Sequence, residues 1–97
     1  MRVVYRLAAG RDIADARRWY EARRPDLGTE FRQAVRAVET LLATYPDAFP
    51  KVYGDIRRAL VRRFPYAIYY QRLEPDVLEI VACLHTSRER TGPLDQR

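Results

Sequence analysis

Two stretches in the second half of the chain bring together residues that could do chemistry. The first, Phe64–Tyr70, is rich in tyrosine, and the second, Val81–Arg88, is apolar until it ends abruptly in polar and cationic residues. A strand that ends in this way delivers its last side chains to one end of a sheet. We therefore expect the functional surface at that end.

Four arginines lie close before or within these stretches, at positions 57, 58, 62 and 63. Alternation along a strand divides them between the two faces of the sheet, where Tyr66 or Tyr69 of the next strand can stand beside them. Arginines interleaved with tyrosines can hold phosphates and stack bases. They can equally stack on one another as a solvated face. We favour the binding role, on the sheet face that the helices leave open.

His85 is the only histidine, and Arg88 follows it three residues later. Because an imidazole titrates near neutrality, His85 is the obvious general base if the protein transfers phosphoryl groups. The nearest carboxylate along the chain is Glu89, and nothing in the sequence fixes it against the imidazole. The alternative is a histidine that hydrogen-bonds a loop.

Metal and cofactor chemistry lack the residues that they need. One cysteine and one histidine cannot build a tetrahedral zinc site. No glycine-rich stretch precedes a helix, so we do not expect a phosphate-binding loop. We predict no cofactor, and we predict that Cys83, inside an apolar run, is a buried thiol rather than a nucleophile.

The composition is that of one folded domain. Of the 97 residues 47% are hydrophobic, so we expect a single domain over 1–97 with a flexible tail at 91–97. The N-terminus has no apolar signal segment, and no apolar run approaches the roughly 20 residues that span a bilayer. We therefore expect a cytoplasmic protein that does not contact membranes.

The charge favours an anionic partner. Lysine and arginine total 18 against 13 acidic residues, and every one of these cations except Lys51 is an arginine. The guanidinium fork pairs bidentately with phosphate or carboxylate. Charge alone does not separate a nucleic acid from an acidic protein.

The first third of the chain predicts a strand and a helix. Residues 2–8 alternate as a half-buried strand does. Asp12 is expected to cap the helix that follows. The apolar side of that helix carries Ile13, Ala16, Trp19 and Tyr20.

A second helix follows a short connection. Pro25 ends the first helix and Asp26 can cap the second, whose apolar residues recur at steps of three and four from Leu27 to Tyr45. The short connection folds the two helices into an antiparallel hairpin. Pro46 ends the second helix.

The rest of the chain predicts a surface loop and three strands. Residues 47–55 are expected to form the loop, and the strands are expected at 56–64, 65–72 and 77–84. The last strand is apolar on both faces except at Glu79, so we place it centrally in the sheet. A strand, a helix hairpin and a three-stranded antiparallel meander in one sheet define an α+β fold.

The order of these motifs resembles a known family. The residues that carry the resemblance extend over nearly the whole chain: Asp12-Ile13-Ala14, Trp19-Tyr20-Glu21, Leu27-Gly28, Phe31, Pro46, Phe49-Pro50, Arg57-Arg58, Phe64-Pro65-Tyr66, Tyr70, His85 and Arg88. Together they are similar to the RelE/ParE superfamily, the toxins of type II toxin–antitoxin systems. The superfamily fold is the fold predicted above.

The resemblance implies a small toxin, of the kind found in plasmid stabilisation modules, that a cognate antitoxin neutralises. An acidic antitoxin suits the net charge of +5. The toxin would reach operator DNA only through that antitoxin.

Two activities occur in the superfamily. RelE-like toxins are ribosome-dependent mRNA endoribonucleases, and for that activity the catalytic candidates here are Arg58, His85 and Arg88. ParE-like toxins inhibit DNA gyrase and need no hydrolytic site. The ribonucleases tend to place an arginine where this chain has Ala67, and their C-terminal tyrosine has no counterpart near Leu94. The resemblance therefore favours a ParE-like gyrase inhibitor that is not an enzyme.

A third hypothesis is a toxin-like chain that serves chiefly as partner and co-repressor of its antitoxin. In each case we expect the antitoxin to cover apolar surface near the helix hairpin and to place acidic residues against Arg57, Arg62 or Arg72. The full set of residues expected to bind the antitoxin or the target is Arg57, Arg58, Arg62, Arg63, Tyr66, Tyr69, Arg72, Arg88 and Arg90.

Overall fold

The computed structural model describes residues 1–88 and has the predicted α+β architecture. Its elements are strand β1 (Arg2–Tyr5), helices α1 (Leu7–Arg23) and α2 (Leu27–Thr44), strands β2 (Lys51–Tyr53), β3 (Ile56–Leu60), β4 (Tyr66–Glu74) and β5 (Val77–His85), and a 3-10 turn (Thr86–Arg88). Arg90 and the tail predicted at 91–97 lie outside the described residues.

The strands form one mixed sheet in the order β1-β5-β4-β3-β2. β1 pairs with β5 in parallel, and the other neighbouring strands pair antiparallel. The helix hairpin is part of the long connection that a parallel pair requires. β5 lies between β1 and β4, which confirms the central position predicted from its apolar sequence.

The sequence pattern missed strand β2. The segment 47–55 was expected to be a loop, but Lys51–Tyr53 pairs with β3 at the sheet edge. All three residues of β2 are exposed. Because neither face of this strand is buried, its sequence shows no apolar alternation.

The first helix begins earlier than predicted. β1 ends at Tyr5 and α1 starts at Leu7, so Asp12 lies inside the helix and is not its N-cap. The residue at the N-cap is Arg6, which makes no side-chain capping bond. The carboxylate of Asp12 instead accepts a hydrogen bond of 3.0 Å from the backbone N–H of Cys83 in β5.

The second helix is capped by a residue of the first. Asp26 is at the predicted N-cap, but its φ is 72° and its side chain makes no capping bond. Glu21 of α1 accepts hydrogen bonds from the backbone N–H groups of Asp26, at 2.9 Å, and Gly28, at 3.0 Å. These bonds satisfy N–H groups that a helix start leaves without partners, and they fix the hairpin angle.

The main core lies between the helix hairpin and one face of the sheet. Its largest fully buried side chains include Phe31, Val35 and Leu42 of α2 and Ile68 and Tyr70 of β4. The hydroxyl of Tyr70 donates a hydrogen bond of 2.7 Å to the carbonyl oxygen of Pro46. The ring is therefore part of the core, and its polar end holds the end of α2.

The opposite face of the sheet is buried at its centre, which the sequence did not predict. Five residues of β3, β4 and β5 form a second buried cluster there: Ile56, Ala67, Tyr69, Val81 and Ala82. The expected open face of arginines and tyrosines is therefore absent at this point, because Tyr69 is only 4% exposed.

Replacing Gly28 with alanine should destabilise the fold, and the same change at Gly10 should stabilise it. A Cβ at Gly28 would lie 2.7 Å from the carbonyl oxygen of Arg17, so backbone would have to move. A Cβ at Gly10 would meet nothing within 4 Å. Urea denaturation should show a loss of about 1–3 kcal/mol for Gly28→Ala and a gain of up to about 1 kcal/mol for Gly10→Ala. Equal stabilities would contradict this prediction.

The carboxylate of Glu79 should make stability fall in acid. Burial alone would raise the pKa of Glu79, but hydrogen bonds from Arg6, at 2.7 Å, and Gln71, at 3.1 Å, lower it below its ordinary 4.5. A carboxyl with a lower pKa in the folded chain stabilises the fold above the unfolded pKa, and this contribution is lost as the pH falls through the folded pKa. Urea midpoints for Glu79→Gln should therefore fall less than those of wild type below about pH 4.5. Glu74→Gln, at an exposed carboxylate, is the control and should follow wild type.

Candidate functional site

A β-bulge brings the end of β5 to the helix side of the sheet. Tyr69 pairs with Ala82 and Tyr70 pairs with Ile80, so Val81 is the extra residue. Val81 and Ala82 consequently lie on the same face, in the second buried cluster. The bulge shifts the alternation of the following residues by one.

A groove of about 600 Å³ lies where this strand end meets α1. One wall is the helix face that carries Asp12, Asp15, Trp19 and Tyr20. The other consists of strand ends and the turn after β5, with Tyr66, Leu84, His85, Ser87 and Arg88 among its residues. The two stretches singled out from the sequence therefore meet in one concave surface.

His85 has a defined tautomer in this groove when it is neutral. Its Nδ1 is 3.1 Å from the backbone N of Ser87 and 2.8 Å from the Ser87 hydroxyl oxygen. A backbone N–H can only donate, so Nδ1 accepts and the proton is on Nε2. His85 thus hydrogen-bonds the turn that follows it and keeps one N–H to offer.

Aromatic rings line the groove from α1 to β5. Trp19 packs edge-on against Tyr20 with centroids 5.1 Å apart, and Tyr66 packs edge-on against His85 at 5.2 Å. The guanidinium of Arg23 lies 4.1 Å from the Trp19 ring centroid. Trp19 is nevertheless 52% exposed, so a large apolar surface stands at the rim.

The Tyr66 hydroxyl is a hydrogen-bond donor at neutral pH. Burial, and next the neighbouring Tyr20, raises the pKa of Tyr66, and the guanidinium of Arg88 opposes only part of the shift. Burial likewise raises the pKa of Tyr20. Both phenols are therefore protonated and can donate to a bound group, but they do not supply a phenolate base.

Two of the predicted binding arginines hold the loop between α2 and β2. Arg57 Nη1 donates to the carbonyl oxygens of Asp47, at 3.2 Å, and Phe49, at 2.7 Å. Arg72 donates to the Asp47 carboxylate at 3.3 Å and to the carbonyl oxygen of Pro75 at 2.6 Å. These cations serve the fold.

Arg58 and Tyr69 lie on the sheet face opposite the groove. They are partners in the register of β3 and β4, and Tyr69 belongs to the second buried cluster. His85 pairs with Tyr66, whose ring packs against the main core on the helix side. The ribonuclease hypothesis requires Arg58, His85 and Arg88 to lie together. The structure instead places Arg58 on the other face of the sheet from His85.

The remaining predicted arginines differ in their surroundings. Arg63 binds Glu30 at 2.9 Å, and Glu30 also accepts from Arg24 at 2.9 Å. The bonds from Arg63 and next from Arg24 lower the pKa of Glu30. Arg62 and Arg88 are exposed, and only Arg88 lines the groove.

Four groove residues on α1 were not recognised as site residues from the sequence: Asp12, Asp15, Trp19 and Tyr20. Trp19 and Tyr20 were assigned to the core side of the helix, and Asp12 was read as a cap. The signal that could have found them is spacing: positions 12, 15, 16 and 19 fall on one helix face. That face contains two carboxylates, which is unusual for a core.

The fold is shared with a toxin–antitoxin structure. The described fold is similar to a chain from the "Chromosomal ParDE TA system from P. aeruginosa", with a TM-score of 0.62 over 88% of this chain and 95% of that chain. The sequences are 12% identical, so the likeness concerns the fold alone. Among curated proteins, none has a significantly similar sequence.

The sequence itself places the chain among toxins of type II toxin–antitoxin systems. Residues 3–90 match the family described as the ParE toxin of the type II system parDE. The match covers most of the chain. This protein belongs to the ParE toxin family. No helix in the described part, residues 1–88, is long and apolar enough to cross a membrane.

Removing the Asp12 carboxylate should destabilise the groove. Asp12→Ala leaves the backbone N–H of Cys83 without its acceptor, which should cost about 1–3 kcal/mol of unfolding free energy. The control is Asp15→Ala on the same helix face, because Asp15 forms an exposed pair with Arg18 and should change stability by less than about 1 kcal/mol. Urea denaturation measures both values. Similar losses in the two variants would show that the Asp12 bond is not what holds the strand end.

Proposed function

We propose that this chain is the toxin of a ParDE-like pair, held inactive by an acidic antitoxin and acting on DNA gyrase in the cytoplasm once released. The observation that carries the proposal is the ParE family match over residues 3–90. The similar fold in a chain of a ParDE system supports it. Operator DNA would be reached through the antitoxin.

The positions of the cations support an activity without hydrolysis. Arg58 and His85 lie on opposite faces of the sheet, so the two side chains are not placed to act on one phosphodiester. Ala67 is fully buried in the second cluster. An arginine at that position would be buried in apolar surroundings, at a high desolvation cost.

The groove supplies the residue types that dominate protein interfaces. Tryptophan, tyrosine and arginine are the commonest residues whose truncation costs most binding energy. Trp19, Tyr66 and Arg88 line this groove together, and Trp19 offers half its surface. We assign the groove to the gyrase contact.

The antitoxin is assigned to the outer side of the helix hairpin and the nearby cations. On α2 and just after it, Leu41 is 46% and Tyr45 is 59% exposed, an apolar pair one helical turn apart. Arg62 is exposed and available to an acidic partner. At Arg57 and Arg72, in contrast, a partner carboxylate would compete with Asp47 and backbone carbonyls.

A ribosome-dependent ribonuclease is the second candidate. The observation that favours it is the meeting of His85, Ser87, Tyr66 and Arg88 in one groove. A protonated phenol, an imidazole and a guanidinium are the kinds of group that serve phosphoryl transfer. This site would have to work without Arg58.

Induced expression of the chain without antitoxin should stop DNA synthesis before protein synthesis, as measured by pulse-labelling. The purified toxin should inhibit supercoiling by gyrase and leave ribosome-bound mRNA intact.

Trp19→Ala and Arg88→Ala should each weaken gyrase inhibition at least about tenfold, which corresponds to about 1.4 kcal/mol of binding energy. Arg36→Ala, at an exposed arginine of α2 away from the groove, is the matched control and should inhibit like wild type.

Each alternative has its own outcome. Messages cut on the ribosome while DNA synthesis continues would overturn the gyrase proposal in favour of the ribonuclease. Unimpaired growth, together with a stable antitoxin complex on operator DNA, would favour the co-repressor hypothesis. Loss of inhibition in Arg36→Ala as well would contradict the assignment of the groove.

A further inference from the structure

The hydroxyl of Tyr5 is buried and has no hydrogen-bond partner among residues 1–88, the part of the chain that the structure describes. Tyr5 is the last residue of β1, and its ring packs against the main core. Buried tyrosine hydroxyls usually find a partner, and a buried donor without one costs about 1–3 kcal/mol. An unsatisfied group of this kind calls for a physical explanation.

A small pocket of about 230 Å³ adjoins Tyr5, where β1 meets the helix hairpin. Ile13 and Ala14 of α1 give it an apolar wall, and Arg17 of α1 and Arg32 of α2 supply two guanidinium groups. Gly10 also lines it, and a Cβ there would meet nothing within 4 Å. The pocket therefore has open space at the glycine.

The charge of this pocket is incompletely neutralised. Arg32 is paired with Glu39 through one contact of 3.3 Å, and both side chains are largely buried. Burial raises the pKa of Glu39. A guanidinium has five N–H donors, and this single contact uses one of them. Arg17 adds a second positive charge.

We propose that this pocket, called here the Tyr5 pocket, receives an aspartate or glutamate side chain of the antitoxin. The inference rests on the proposed function, because it names where the acidic partner is anchored. The guanidinium groups of Arg17 and Arg32 offer only donors, the Tyr5 hydroxyl can donate as well, and a carboxylate accepts at both oxygens. The small volume suits one side chain, and the chain's net charge of +5 favours an acidic partner.

The same bound carboxylate would account for the Tyr5 hydroxyl. In the isolated toxin this donor is desolvated without compensation. In the complex it would make a charge-assisted hydrogen bond, which is stronger than a neutral one. The hydroxyl is thus costly to the isolated fold and useful to the complex, so one substitution should have opposite effects on the two.

Tyr5→Phe tests this difference directly. The thermal midpoint of the isolated variant should equal or exceed that of wild type, because phenylalanine keeps the ring and removes the unsatisfied group. Its affinity for the purified cognate antitoxin should fall about fivefold or more, measured by titration calorimetry. Arg17→Gln with Arg32→Gln should weaken binding further. Lys51→Gln, at an exposed residue of β2 on the sheet edge opposite β1, removes one positive charge outside the pocket and the hairpin and is the control.

The outcomes separate this inference from the proposed function. Tight binding by wild type with unchanged affinity in Tyr5→Phe would overturn the pocket assignment and leave the toxin–antitoxin proposal standing. An equal loss in Lys51→Gln and in Arg32→Gln alone would show that only overall charge matters, which also overturns it. Absence of binding by wild type would overturn both. If the double arginine variant fails to fold, Tyr5→Phe decides alone.

Discussion

The bulge at Val81 determines which side of the sheet carries the end of β5. Without the extra residue, the alternation that places Leu78 and Ile80 against the helices would continue through Ala82 and Leu84. His85 would then stand on the far face. With it, Cys83 and His85 face α1, where Asp12 accepts from the Cys83 N–H. The groove depends on this change of face, because the end of β5 after the bulge forms one of its walls.

A basic composition does not translate directly into a basic binding surface here. Arg6 joins the end of β1 to β5 through Glu79, Arg63 joins the β3–β4 connection to α2 through Glu30, and Arg57 holds the carbonyls after α2. Each of these guanidinium groups fixes a junction between elements. The cations left for partners are therefore fewer than the sequence suggests, and their positions matter more than the net charge.

The sequence predicted the parts of the fold that buried periodicity determines. The spacing of apolar residues predicted α2, and the apolar run before His85 predicted a central strand. Other features depend on contacts between distant residues. Glu21 replaces Asp26 as the cap of α2, and the bulge shows only in the pairing of β5 with β4. Among the residues that line the groove, His85, Tyr66 and Arg88 were candidates from the sequence. Trp19 was assigned to the core because an exposed and a buried aromatic at helical spacing look alike.

The parallel pairing of β1 with β5 joins the start of the chain to its last described strand, since Arg2 lies opposite Val77. A chain is synthesised from its N-terminus at about 5–20 residues per second, so β1 waits several seconds for its partner. During that time the helix hairpin lacks β5, and the groove lacks a wall. Contacts this distant in sequence also close slowly. The groove is therefore complete only after β5 has been made, and no N-terminal part of the chain that lacks β5 can present it.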